Sequence, residues 1–133
     1  MKQYPYLSLA QSLMLLRVAI AIFFMAHAAV RIANGSIANF GGSLEAKGLP
    51  AGVALVWMIT VYELSAGLMM ALGKYTCLMT AGFAVIVIGG IVLIHARLGW
   101  FVGEHGIGGM EYSLSLLVSL LVIAAADRAK DEM

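Results

Sequence analysis

Apolar residues run along this chain in four long blocks, and the few polar side chains that interrupt them carry as much information as the blocks do. The first block covers about residues 13–33 and holds Arg17, His27 and Arg31. The second, about 51–72, has Glu63 as its only charge. The third, about 77–95, is free of formal charge and ends at His95, and the fourth, about 109–126, has Glu111 near its start. A helix needs roughly 20 mainly apolar residues to cross about 30 Å of hydrocarbon. Backbone polar groups in lipid must be satisfied within their own segment, so each block predicts a helix and not a strand. Pro5 and Pro50 fall outside the blocks, which leaves their interiors free of the strongest helix breaker. The pattern predicts an all-α fold, an integral membrane four-helix bundle forming a single membrane domain over residues 1–133.

The connections refine this plan. Gly73 to Thr76 is short enough for a tight turn between the second and third spans. Gly35 to Pro50 is longer, with Phe40 and Leu44 one helical turn apart and Glu45 and Lys47 nearby; this predicts a short interfacial helix between spans 1 and 2. Gly99 to Gly109 holds five glycines, with Trp100 and Phe101 at interfacial height.

Composition narrows the class. Hydrophobic residues make up 62% and charged residues 11%, against about 45–50% and about 25% in globular chains. A soluble domain of this length must cover a large surface with polar groups, and this chain lacks them. Disorder is excluded by the same numbers. A net charge of +1 offers no basic surface for phosphate, so no nucleic-acid partner is expected. The single cysteine, Cys77, rules out an internal disulfide, a thiol pair or a cysteine-based zinc site. The expected partner is the lipid bilayer.

Lys and Arg set the orientation. With the N-terminus inside, Lys2, Arg17, Lys74, Arg128 and Lys130 lie on the inner side, and Arg31, Lys47 and Arg97 on the outer. Both termini are therefore expected in the cytoplasm. A cleaved signal peptide is disfavoured, because Arg17 and His27 interrupt the apolar run and Ala26–Ala28 is a poor cleavage motif.

Ionisable groups within a span cost about 2.5–3.5 kcal/mol each on insertion scales and need a partner or a cavity. At 100° per residue, Arg17, His27 and Arg31 fall within an arc of about 80°, which is expected to face the bundle. On the second span Gly52, Val56, Thr60, Glu63, Gly67 and Met70 form one stripe, and its small residues suit a close helix contact. On this topology His27, Arg31, His95, Arg97, Glu104, His105 and Glu111 gather in the outer half. Glu63 lies nearer mid-depth.

Three readings of the cluster follow. In the first, Glu63 pairs with Arg31 or His27, and such pairs only hold the helices in register. Alternatively the charges line a pocket for a quinone-like amphiphile, with His and Arg donating to its oxygens and Glu63 relaying protons. A metal site from His27, His95 and the carboxylates is the third reading; it lacks the Glu-x-x-His pairing of bundle metal sites, and no metal is predicted. A faint repeat accompanies them, His27, Arg31 and Glu63 in the first hairpin against His95, Arg97 and Glu111 in the second.

The motifs resemble those of the DoxX-like membrane proteins along nearly the whole chain. They are the first span from Arg17 through His27 to Arg31, then Phe40, Leu44 and Gly48-Leu49-Pro50, then Glu63-Leu-Ser-Ala-Gly67 with Leu72-Gly73. His95 at the end of the third span and Gly108-Gly109-Met110-Glu111 before the fourth complete the set. The resemblance implies a small protein of the bacterial inner membrane, related to subunits of thiosulfate:quinone oxidoreductase, with His27, Arg31, Glu63, His95 and Glu111 as ligand-binding positions. It implies quinone as the candidate cofactor, and a second copy or a membrane redox protein as partner. Two departures stand out. Ala124 to Arg128 replaces the glycine–proline turn common after the last span, and one cysteine leaves no thiol-pair chemistry within the chain.

Overall fold

The computed structural model describes residues 4, 6–103 and 108–132. Four long helices account for the four apolar blocks: α1 (Leu9–Ala33), α3 (Gly52–Ala71), α4 (Thr76–Leu93) and α5 (Glu111–Asp131). A nine-residue helix, α2 (Ile37–Glu45), lies between α1 and α3. A four-residue 3-10 turn (His95–Leu98) follows α4. All four long helices have the length and hydropathy of membrane spans.

The ends of these helices follow from local chemistry. α1 begins four residues before the predicted span. Ser8 and Gln11 form a capping box there, the Ser8 hydroxyl accepting from the Gln11 N–H at 3.2 Å and the Gln11 side chain accepting from the Ser8 N–H at 2.8 Å. α1 and α3 stop in the same way, with the left-handed glycines Gly35 and Gly73 at φ +61° and +72°. The two amides after each cap bond back to the last helical carbonyls, Gly35 to Ile32 and Ser36 to Arg31, then Gly73 to Met70 and Lys74 to Met69. The residue that precedes α3, Ala51, has no polar side chain to cap it with. Glu45, from the end of α2, supplies the carboxylate instead and accepts from the Gly52 N–H at 2.8 Å. α5 continues as helix past the expected end near residue 126 to Asp131, because no glycine or proline stands there to end it.

The bundle forms two hairpins. α1 packs along α3 and α4 along α5, while the α1–α5 and α3–α4 seams are slighter. One core joins all four helices, with Ala21 and Phe24 from α1, Ala66 and Met70 from α3, Phe83 and Val87 from α4, and Leu116 and Leu120 from α5. The rings of Phe24 and Phe83 stack at 4.1 Å between centroids, and Tyr62 meets Phe83 edge-on at 5.3 Å. The Tyr62 hydroxyl donates to the Met79 carbonyl at 2.9 Å and lies where a Cβ on Gly82 would stand. Large apolar side chains such as Leu15, Ile22, Val61, Val85 and Leu121 point outward, as lipid-facing helices require.

α2 does more than lie at an interface. Ile37, Gly41 and Leu44 are buried and join Val56 in a second apolar cluster. A Cβ on Gly41 would meet the Val53 backbone at 2.6 Å, and one on Gly52 would overlap the Gly41 carbonyl. Two glycines thus bring α2 against the start of α3.

Candidate functional site

The site rests on the stripe of α3. All six of its residues are buried: Gly52, Val56, Thr60, Glu63, Gly67 and Met70. Glu63 is 4% exposed and Thr60 fully buried. Arg31, in the last turn of α1, reaches across to both. Its Nη1 donates to Glu63 Oε2 at 2.7 Å and to Thr60 Oγ1 at 2.8 Å. Thr60 in turn donates its hydroxyl proton to the Val56 carbonyl at 2.7 Å, which turns an oxygen lone pair toward the arginine. The guanidinium carbon stands 5.6 Å from the centre of the Phe40 ring of α2, a cation–π contact. Van der Waals contact with Met25 closes α1 onto α3 at Gly67.

This arrangement saturates one end of the guanidinium and leaves the other available. Nη1 carries two protons and both are used. Among the described residues, Nη2 and Nε of Arg31 make no hydrogen bond, and the side chain keeps 15% of its exposure. A rigidly held cation with spare planar donors is suited to carbonyl or carboxylate oxygens.

The other sequence-predicted positions lie at the same end of the bundle but not in the same contact. His27 is one turn before Arg31 and exposed; its ring lies 6.5 Å from that of Tyr112 on α5, beside the α1–α5 seam. Along the arc of α1, Ala21, Phe24 and Ala28 are buried and Arg31 turns inward to Glu63, whereas His27 sits exposed on its edge. His95 leaves the α4 axis at the 3-10 turn, and its ring packs back over Gly90, 3.6 Å from where a Cβ would be. Glu111 binds its own loop: Oε1 accepts from the Val102 N–H at 2.9 Å, and the Glu111 and Met110 amides donate to the carbonyls of Trp100 and Gly99. The second set of the faint repeat therefore forms no counterpart of the first, and Arg97 is exposed. Glu104 and His105 lie outside the described residues.

The roles of Thr60 and Phe40 were not evident from the sequence. The spacing of Thr60 and Glu63, three residues apart on one helix face, was the available signal for the former. Phe40 read as an apolar interfacial residue, and only the packing of α2 against α3 brings it to the arginine. Lys47 was likewise unforeseen; its Nζ donates to the Leu93 carbonyl at 3.0 Å and caps α4. Among the described residues, no three His, Cys, Asp or Glu side chains group closely enough to hold a metal ion.

The order of these elements and of their polar residues matches a known family. The DoxX family model matches residues 12–96, more than half of the chain. The chain belongs to the DoxX family. The match takes in Arg31, Thr60, Glu63 and His95, while Glu111 and α5 lie beyond it. No curated protein and no solved structure matches the chain. As a DoxX-family protein with four apolar spans, it resides in a lipid bilayer.

Proposed function

We propose that this DoxX-family protein is a redox-associated subunit of the bacterial inner membrane, with both termini in the cytoplasm, and that it binds the head of a quinone-like amphiphile beside Arg31. The observation that carries this reading is the half-used guanidinium. Glu63 and Thr60 hold Nη1, and Nη2 and Nε, which have no partner among the described residues, can donate. Quinone carbonyls are acceptors, so the donor set fits them. His27, exposed one turn away, is the group placed to exchange a proton with the ligand or with water. Glu63 keeps the cation oriented and neutralises it. An amphiphile can approach from the bilayer between the helices without leaving the apolar phase. When bound, a quinone supplies two-electron, two-proton chemistry; the chain's own residues position its oxygens and handle protons. A partner, either a second copy or another redox protein, would supply the electrons.

The experiment is to purify wild type and an Arg31→Ala, Glu63→Ala double variant in mild detergent and extract the bound lipids. The expected result is quinone near one per chain in wild type and background in the variant. Equal amounts in both would overturn the reading.

A second reading has one observation in its favour. Nη1 is fully satisfied within the protein, as in a contact that only sets helix register. A scaffold of that kind predicts that Glu63→Gln lowers thermal stability while any partner complex stays active. Loss of activity at unchanged stability would count against it.

A further inference from the structure

At the end of the bundle opposite Arg31, three helices border a small, partly open cavity. Its lining includes Arg17 of α1, Thr76 of α4 and Ile123, Asp127 and Lys130 of α5, and its water-occupiable volume is about 20 Å³. Among the described residues, two polar atoms at this junction lack a partner. Thr76 is 1% exposed and its Oγ1 makes no hydrogen bond, and the Nε of Arg17 is buried and equally unpaired. The Arg17 guanidinium lies over the turn at Gly73, its Nη atoms 3.2 Å from where a Cβ would stand. On the other side Asp127 Oδ2 accepts from the Cys77 N–H at 3.1 Å and caps the start of α4.

We propose that this cavity is a binding site for a single water molecule that links Arg17, Thr76 and Asp127. Donor and acceptor counts favour water. It accepts from Arg17 Nε–H, donates to the Asp127 carboxylate, and exchanges either role with the Thr76 hydroxyl, so three groups are met by one molecule. Size agrees: a water needs about 10–15 Å³ of such volume and two to four polar partners. A phosphate group, with four oxygens, is too large for it, although Arg17 and Lys130 outnumber the Asp127 carboxylate on the wall. A cation is opposed by Arg17 and Lys130. The site has a structural consequence. α1 and α5, the first and last spans, meet along a slight seam, and the water ties them together through α4 at this end. This inference is independent of the quinone reading, which concerns the other end of the molecule.

The test is a measurement of water-to-amide magnetisation transfer by NMR on the full chain in lipid nanodiscs. Wild type should show a persistent water cross-peak at the Thr76 or Cys77 amide. The peak should survive in Thr76→Ser and disappear in Thr76→Val while the α5 resonances stay in place. No such peak in wild type, or an unchanged peak in Thr76→Val, overturns the proposal. So does a phosphorus dipolar contact to the Arg17 guanidinium, which would put a lipid phosphate there. The wild-type spectrum decides the matter even if Thr76→Val does not fold.

Discussion

α1 carries two arginines within its membrane-spanning length, and the two ends of the bundle treat them in opposite ways. At one end Arg31 meets a buried carboxylate, a buried hydroxyl and an aromatic face. At the other, Arg17 rests on a glycine turn with its Nε unpaired beside an unpaired threonine, and the nearby carboxylate of Asp127 is occupied by a backbone amide. Position along α1 does not explain the contrast, since Arg31 is in the last turn and Arg17 eight residues from the start. The partners do: Arg31 reaches a carboxylate two turns or more inside α3, whereas Arg17 meets the junction of a turn and two helices.

The largest effect expected from this contrast is at Glu63. Glu63→Ala strands Arg31 in the apolar phase and should cost about 3–5 kcal/mol, the range for breaking a buried ion pair from one side. Reversible unfolding in mixed micelles measures it, and a cost near zero would mean that the arginine reaches another partner or water. Next come the arginines themselves. Arg31→Met should destabilise clearly, and combining it with Glu63→Ala should cost less than the sum, since both remove one contact. Arg17→Met should cost about 1 kcal/mol or less, the net worth of one ordinary hydrogen bond. Equal costs at the two arginines would erase the comparison.

The threonines give a finer test. Thr60→Val removes a direct acceptor of Arg31 and should cost about 1 kcal/mol, whereas Thr76→Val deletes a hydroxyl with no protein partner and should be smaller. Both are read as shifts in melting temperature. The smallest effect is expected for Glu111→Ala. It shares an end with Arg31 but among the described residues its side chain holds only the Val102 amide, so the loss should stay below about 1 kcal/mol. Its mark should be local, faster hydrogen exchange at Val102 with the Arg31–Glu63 contact intact.

Much of this was legible before the fold was known. The four spans, the short helix between the first two and the stripe on α3 all follow from periodicity, and the structure places them within a few residues of expectation. The pairing of Arg31 with Glu63 was one of the open readings. What the pattern could not show was which polar groups at one end of the bundle would meet. His27 and Arg31 lie on one arc, yet the helix turns the arginine inward and leaves the histidine at the edge. Glu111 looked like a member of the cluster, but an unpaired loop amide took its oxygen; backbone donors of irregular segments leave no trace in side-chain patterns. His95 was lost to the cluster because α4 ends at Leu93, two residues before it.

The sequence by itself determined the membrane environment, the helices, their glycine caps and the single buried carboxylate of the spans. These depend on local backbone bonding and on transfer of side chains to lipid, which each segment settles alone. The tertiary structure decided which arginine gained that carboxylate and which was left to a small polar cavity. Apolar side chains are nearly indifferent to whether they touch lipid or protein. Polar pairing depends instead on the relative rotation and depth of two helices, to within a hydrogen-bond length, and no single helix carries that information.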